Sequence, residues 1–362
     1  MIRIFLIGDF WNRQPLAYAP IRDRLSSKID IVDDPRDAQL ALFSHPHDLA
    51  THARTLTYLV AANPRLRPVL LSEEPFWDTC WSPDPFTKYQ ICSAGPAPFG
   101  YAVLNHATST IYDTTDIPYF LLTDPRYIGR YRPLFDRNAG FSASDWLDRW
   151  RKAAWDAAFV AERRDEARHA PIFATQGVWG LSGVRGRITN DCKGAKILRS
   201  GRGWDVDTRR ADLPNWHADK LARLDLKCRY VSGLENTHQT NYVTEKIFDA
   251  FAVGGVPLYI AAKSHAVTRY VGEGSWINLA AHLPRKDAPK VQPFDADTTI
   301  SADLARAYVG TQNHLAQLFA NRARIEDEID RLSTRLYDAL HHLASADFSE
   351  ELSFTAPAAQ QA

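Results

Sequence analysis

The stretch that most constrains the fold runs from Arg229 to Ile260 and reads R-Y-V-S-G-L-E-N-T-H-Q-T-N-Y-V-T-E-K-I-F-D-A-F-A-V-G-G-V-P-L-Y-I. An extended run leads into a polar loop holding Glu235, Asn236, His238, Gln239 and Asn241. A helix is expected from about Thr244, whose side chain suits the N-cap because its oxygen can accept from unpaired first-turn N–H groups. Ile247, Phe248, Phe251 and Ala252 fall on one helical face. Gly254 and Gly255 stop the helix, Pro257 forbids its continuation, and Val256–Ile260 reads as a second strand. A strand–loop–helix–strand unit of this kind places polar residues beyond the carboxyl end of a strand, where open α/β sheets bind ligands.

The rest of the chain repeats that alternation. Ile2–Ile7, Leu25–Val32, Ala38–Phe43, Pro68–Leu71 and Gln90–Ser93 are strand-length apolar runs, separated by segments such as Pro46–Ala62 with helical character. From Gly95 to Arg137 the chain is rich in Pro, Tyr and Asp, and reads as loop. Ser144–His169 is expected to be one helix, ending in a charge run before Pro171. A boundary placed there gives an N-terminal Rossmann-like domain over residues 1–168 and a C-terminal one over 169–345. A Gly-rich loop from Gly177 to Gly186 opens the second. Asn215–Leu226 and Ser264–Val271 read as helices and Ser275–Leu279 as a strand. Asp303–Leu343 is strongly helical with a break near Gly310–Asn313, and residues 346–362 lose all periodicity and are expected to be disordered. That long helix suits equally a domain junction or a dimer seam.

Composition narrows the function. The 362 residues carry 43 basic and 43 acidic side chains, so nucleic acid is not expected as a whole-surface partner. Cys80, Cys92, Cys192 and Cys228 show no C-x-x-C spacing, which argues against zinc and for a reduced compartment. His45, His47, His238 and His265 form no metal-ligand set. The N-terminus lacks the apolar core of a signal peptide, and no run approaches the roughly 18 apolar residues of a membrane span. The protein is expected in the cytoplasm, with a peripheral contact at the inner membrane compatible with this.

At the central helix entrance, unpaired N–H groups and the macrodipole favour an anion. Lys246 adds positive charge there, and Asn236 and Tyr242 add neutral hydrogen-bonding groups; a diphosphate with an attached sugar fits the set. The phrase E-N-T-x-x-x-x-Y-V-T-E-K-I-x-D-A, followed by G-x-V-P-L-Y, resembles the donor-binding motif of glycosyltransferase family 10, the α1,3/α1,4-fucosyltransferases, in a bacterial form. The motif covers about thirty residues. The resemblance implies a GT-B-like α/β fold, with two Rossmann-like domains facing across a cleft and closed by the C-terminal helix. It implies GDP-fucose as donor, and an oligosaccharide or glycoconjugate containing GlcNAc as acceptor, joined in an α1,3 linkage. It also implies inversion by single displacement, with no cofactor and no essential divalent metal.

By the same resemblance, Asn236, Tyr242, Glu245 and Lys246 hold the donor. Lys246 neutralises the departing GDP, and Glu245 supports positive character on the fucose ring. The upstream diphosphate arginine falls on Arg185 or Arg187 in G-V-R-G-R-I. An inverting transfer needs a base on the acceptor side. P-V-L-L-S-E-E-P-F-W supplies Glu73 directly after a strand, with Glu74 as the fallback, in a phrase shorter than the family's own. Trp11, Glu74, Phe76 and Trp77 are the acceptor-contact candidates. Leu234 replaces the family's Phe, and Ala261 and Ala262 stand where it has glycine. Two other readings are a metal-dependent GT-A transferase using Asp205 and Asp207, and a catalytically silent binder of glycans or nucleotide sugars.

Overall fold

A computed structural model describes residues 1–204, 213–284 and 292–345. The chain forms two compact units: Met1–Thr114 together with the chain from Asp327 onward, and Thr115–Glu326. In the first unit, strands β1 (Ile2–Leu6), β2 (Ile29–Ile31), β3 (Leu40–Phe43), β4 (Arg67–Leu71), β5 (Tyr89–Cys92) and β6 (Phe99–Leu104) alternate with helices. These helices are α1 (Ala19–Leu25), α2 (Pro46–Thr51), α3 (Ala53–Ala62) and α4 (Pro75–Trp81). The sheet order is β2-β1-β3-β4-β6-β5, parallel except for the β5–β6 pair. The Pro- and Tyr-rich region after Gly95, read as loop, therefore contributes a full strand, β6. Its Ala102, Val103 and Leu104 are buried against β4.

The second unit holds β7 (Trp155–Val160), β8 (Ile172–Phe173), β9 (Val178–Gly180), β10 (Ile197–Ser200), β11 (Cys228–Ser232), β12 (Thr237–His238), β13 (Val256–Tyr259) and β14 (Ile277–Asn278). Its helices are α5 (Tyr119–Leu122), α6 (Pro125–Ala139), α7 (Ala143–Arg151), α8 (Ser182–Asp191), α9 (Trp216–Leu224), α10 (Glu245–Ala252), α11 (Val267–Tyr270) and α12 (Ala302–Ala320). The main sheet runs β10-β7-β11-β13-β14, all parallel. Strands β8, β9 and β12 make a small antiparallel sheet beside it. Counted along the chain, the main sheet has the order 2-1-3-4-5. The parallel part of the first sheet begins 2-1-3-4, so both units are Rossmann-like. In each, the order reverses between the first and third strands, which opens a crevice at their carboxyl ends.

Three expectations are corrected here. The single helix over Ser144–His169 is α7 followed by β7. Alanines at 157 and 158 favour helix by propensity, but both are wholly buried between β10 and β11, and a central parallel strand has no exposed face to betray it by alternation. The boundary expected at 168/169 would sever β7 from its sheet, and the division instead falls after Thr114. The long C-terminal helix is two, α12 and α13 (Arg322–Ser345), broken at Asn321 and not at Gly310–Asn313. From Asp327 onward α13 belongs to the first unit, where Asp330 pairs with Arg24 and Tyr337 lies beneath the Lys28 ammonium. Residues 346–362 lie outside the described residues, as do Asp205 and Asp207.

What positions α10 matters most. Its apolar face lies on β11 and β13, and Phe248 meets Tyr131 of α6 and Phe319 of α12. Gly254 ends the helix in the left-handed region, at φ 78°, where a side chain would also strike Leu226 and Trp146. The exposed carbonyls there are satisfied by side chains: Trp150 Nε1 donates to Gly254 O at 2.8 Å and Tyr308 OH to Gly255 O at 3.1 Å. Helix α10 is thus pinned at its C-terminus while its N-terminus faces the crevice.

Candidate active site

A cavity of about 550 Å³ opens in the second unit at the carboxyl ends of β7, β10 and β11. Its wall includes Arg185, Asn236, Glu245 and Lys246, four of the residues singled out from the sequence. Tyr242 is buried behind them, close enough to Arg185 to interact electrostatically, and does not itself line the cavity. A helix sets the two candidate arginines apart. The segment read as a Gly-rich loop is in fact β9 and α8, and α8 turns Arg185 inward, 4% exposed, and Arg187 outward to solvent.

Arg185 is the unusual group. Its Nη1 donates to Asn236 Oδ1 at 2.9 Å and its Nη2 to the Glu162 carbonyl at 3.3 Å, both neutral acceptors. No carboxylate ion-pairs with it among the described residues. Burial, aided by the neighbouring Arg164, pulls the guanidinium down to about 10, so it remains charged at neutral pH. Glu235 and Glu162 act on it from farther away and offset this only in part. A buried cation without a direct ion pair is costly, and an anion in the cavity would relieve that cost.

Lys246 is organised by a residue absent from the candidate set. Its Nζ lies 3.1 Å from Glu235 Oε2 and 3.6 Å from Glu245 Oε1, and donates to Thr244 Oγ1 at 2.9 Å. Glu235 also accepts from the Thr244 backbone N–H at 2.8 Å and from the Thr244 hydroxyl. Thr244 is the N-cap residue of α10 as expected, but its side chain caps nothing. It donates to Glu235, which ties the loop to the helix entrance. Burial pushes the Glu235 carboxyl up and Lys246 only partly offsets this. The acidic residue was visible in the sequence; its burial was not.

Another part of the wall comes from α9, whose Trp216, Asp219, Lys220 and Arg223 share one face. Arg164 and Arg202 complete a cationic lining and are each paired with Glu162. None of these was anticipated, because helical spacing on α9 marks a face without saying what it faces.

In the first unit, Glu73 follows β4 at the carboxyl edge, and its side chain is 1% exposed. Tyr18 OH donates to Glu73 Oε1 at 2.7 Å, and Arg13 Nε donates to the same oxygen at 3.2 Å. Burial and the Glu73 charge both push the Tyr18 phenol up, so it stays protonated and donates. Glu74 is the N-cap of α4, accepting from Phe76 N–H, and Phe76 is buried against Trp81. Glu74 is 8% exposed and Phe76 4%. Trp77 is half-buried, its ring tilted against His45 at 4.5 Å and beneath the Arg13 guanidinium at 5.0 Å. Trp11 is exposed.

Residues 199–299 match the family model described as glycosyltransferase family 10 (fucosyltransferase) C-term. The match spans under a third of the chain and marks a likeness to that domain. The matched segment contains Lys220, Asn236, Glu245 and Lys246, whereas Arg185 and Glu73 precede it. A search of the curated proteins finds no significant match. Among solved structures, the crystal structure of an alpha1,3-fucosyltransferase with GDP-fucose is 14% identical, covering 96% of this chain and 91% of that one, with a TM-score of 0.37. The crystal structure of an alpha1,3-fucosyltransferase with GDP is 13% identical over 96% and 91%, with a TM-score of 0.36. Superposition that loose carries no argument. Within the matched segment, Asn236, Glu245 and Lys246 also form part of the cavity wall. Among the described residues no helix is long and apolar enough to cross a membrane.

Proposed function

We propose that this protein transfers L-fucose from GDP-fucose to a hydroxyl of a GlcNAc-containing glycan, forming an α1,3 linkage with inversion. The observation that carries the reading is Arg185: a buried guanidinium whose hydrogen-bond acceptors are both neutral, lining the same cavity as Lys246. Two fixed cations at a crevice of this size suit the diphosphate of a nucleotide sugar. They are set before the reaction and gain strength as charge builds on the departing GDP. Glu245, buried at the first turn of α10 and lining the cavity, is assigned to the fucose ring.

Glu73 is the proposed base. Arg13 and Tyr18 both donate to its Oε1 and fix its orientation. The same two donors must yield Oε1, or the acceptor must approach the other oxygen, before a proton can be taken. Arg13 is the movable partner, with 41% of its side chain exposed. Trp77 and Trp11 lie at the carboxyl edge of the same sheet and are assigned to the acceptor's sugar faces. Four free cysteines are consistent with work in the cytoplasm.

Glu73→Gln tests the assignment. GDP-fucose binding by calorimetry should be retained while transfer to a glycan panel falls by about 10²–10⁴-fold. Undiminished transfer would overturn the base role, and loss of donor binding as well would point to misfolding. The same assay in EDTA should show full activity. A collapse there would favour the metal-dependent reading through Asp205 and Asp207.

A further inference from the structure

Behind α10 lies a buried polar cluster that the transfer chemistry does not use. Asp249, on the turn after Glu245, is 1% exposed and accepts at both oxygens. Its Oδ1 takes the His217 Nε2 proton at 2.7 Å and the Tyr131 hydroxyl at 2.6 Å. The histidine tautomer follows from its far side. Arg130 Nη1 lies 2.9 Å from His217 Nδ1, and a guanidinium can only donate, so Nδ1 accepts and Nε2 carries the hydrogen. The carboxylate is thereby held in one orientation, leaving Oδ2 for Lys220 Nζ at 2.8 Å.

Lys220 sits on the cavity side of this cluster. It comes from α9, its side chain is 8% exposed, and it lines the cavity together with Arg185 and Lys246. Asp249 is its one hydrogen-bond partner among the described residues, so two of the three ammonium N–H bonds have no protein acceptor there. A buried ion pair rarely stabilises a fold more than apolar residues of the same volume would. One whose cation faces a ligand cavity, with donors to spare, is a candidate for binding. Apolar packing would have sufficed between α9 and α10 had their union been the only requirement.

We propose that Lys220 is a third cationic contact to the diphosphate of the nucleotide sugar, presented by Asp249 and kept in place by His217, Tyr131 and Arg130. The inference rests on the donor reading of the cavity and adds a wall to it. Arg185 enters from α8, Lys246 from α10 and Lys220 from α9, so the diphosphate is gripped by three helices of the unit. Asp249 is a positioning residue: it touches Lys220 and not the ligand.

The experiment compares wild type, Lys220→Met, Lys220→Arg and the charge-free double variant Lys220→Met/Asp249→Asn, each checked for folding by thermal melting. Three probes are titrated by calorimetry or ligand-observed NMR: inorganic pyrophosphate, GDP and guanosine. Loss of the contact should weaken GDP and pyrophosphate at least tenfold in the folded Met-containing variants, leave guanosine within twofold, and be largely restored by Lys220→Arg. Unchanged GDP and pyrophosphate affinity overturns the inference. So does an equal loss for guanosine, which would mean that Lys220 only holds α9 against α10. If Lys220→Met alone is unfolded, the double variant decides on the same criteria. Wild type that binds pyrophosphate but not GDP would remove the GDP-fucose reading and leave Lys220 to be judged on pyrophosphate. Wild type that binds neither overturns both.

Discussion

At the scale of single residues, the distinction that matters is between Arg185 and Arg187. They stand two apart in one short phrase with the same chemistry, yet one is buried at the cavity and the other is in solvent. Charge-assisted hydrogen bonds to a bound anion contribute about 1.5–3 kcal/mol. Arg185→Met should therefore weaken GDP-fucose binding by about 10–100-fold in a calorimetric titration. Arg187→Ala should leave it within about twofold, as expected for an exposed side chain away from the cavity. Equal effects from the two would remove the cavity as the donor site. Glu235 teaches the complementary point. Its carboxylate was legible as a letter beside Asn236, but only its burial under Thr244 and Lys246 makes it the anchor of the α10 entrance.

At the scale of elements, the site depends on how closely the loop after β11 approaches α10. A Cβ added at Gly233 would sit 3.1 Å from Ile247 Cα and 3.4 Å from Ile247 N, so the helix backbone itself must give way. Overpacking of this kind costs about 1–3 kcal/mol. Gly233→Val should lower the melting temperature and also weaken GDP-fucose binding, because α10 carries Glu245 and Lys246 on its first turn. A variant that melts earlier but binds the donor normally would show that the entrance tolerates the shift. The elements β11, α10 and β13 were readable because each has a sharp signature: an apolar run, an amphipathic turn, a Gly-Gly stop, a proline. Strand β7 was not, since its alanines and both-sided burial carry no period.

At the scale of the whole molecule, buried histidines set the response to acid. Burial holds the His265 imidazole down to about 3 and the His45 imidazole to about 4, against an ordinary value of 6.5. Both are neutral in the folded protein at neutral pH. Between pH 6.5 and these depressed values the unfolded chain binds more protons than the folded one, so stability falls as pH drops through that window and levels off below it. For His265 the loss at pH 5 is about 2 kcal/mol. Thermal melts from pH 7.5 down to pH 5 should show a decline that is smaller in His265→Phe. A melting temperature flat across that range would contradict the burial assigned to both rings.

By itself the sequence determined what is local. It set the strand–loop–helix–strand motif, the end of α10 at Gly254, the alternation that makes an α/β protein, and the family resemblance that the motif carries. These depend on backbone preference and on patterns within a few residues of one another. The tertiary structure alone decided which arginine is buried, that α9 brings Lys220 to the same cavity as Lys246, and that both sheets reverse order beside their first strand. It also decided that the division between units falls after Thr114 and that α13 returns to the first. Each of those depends on pairing between strands and helices far apart in the chain, and burial, the property that turns a charged letter into a binding group, exists only once they have paired.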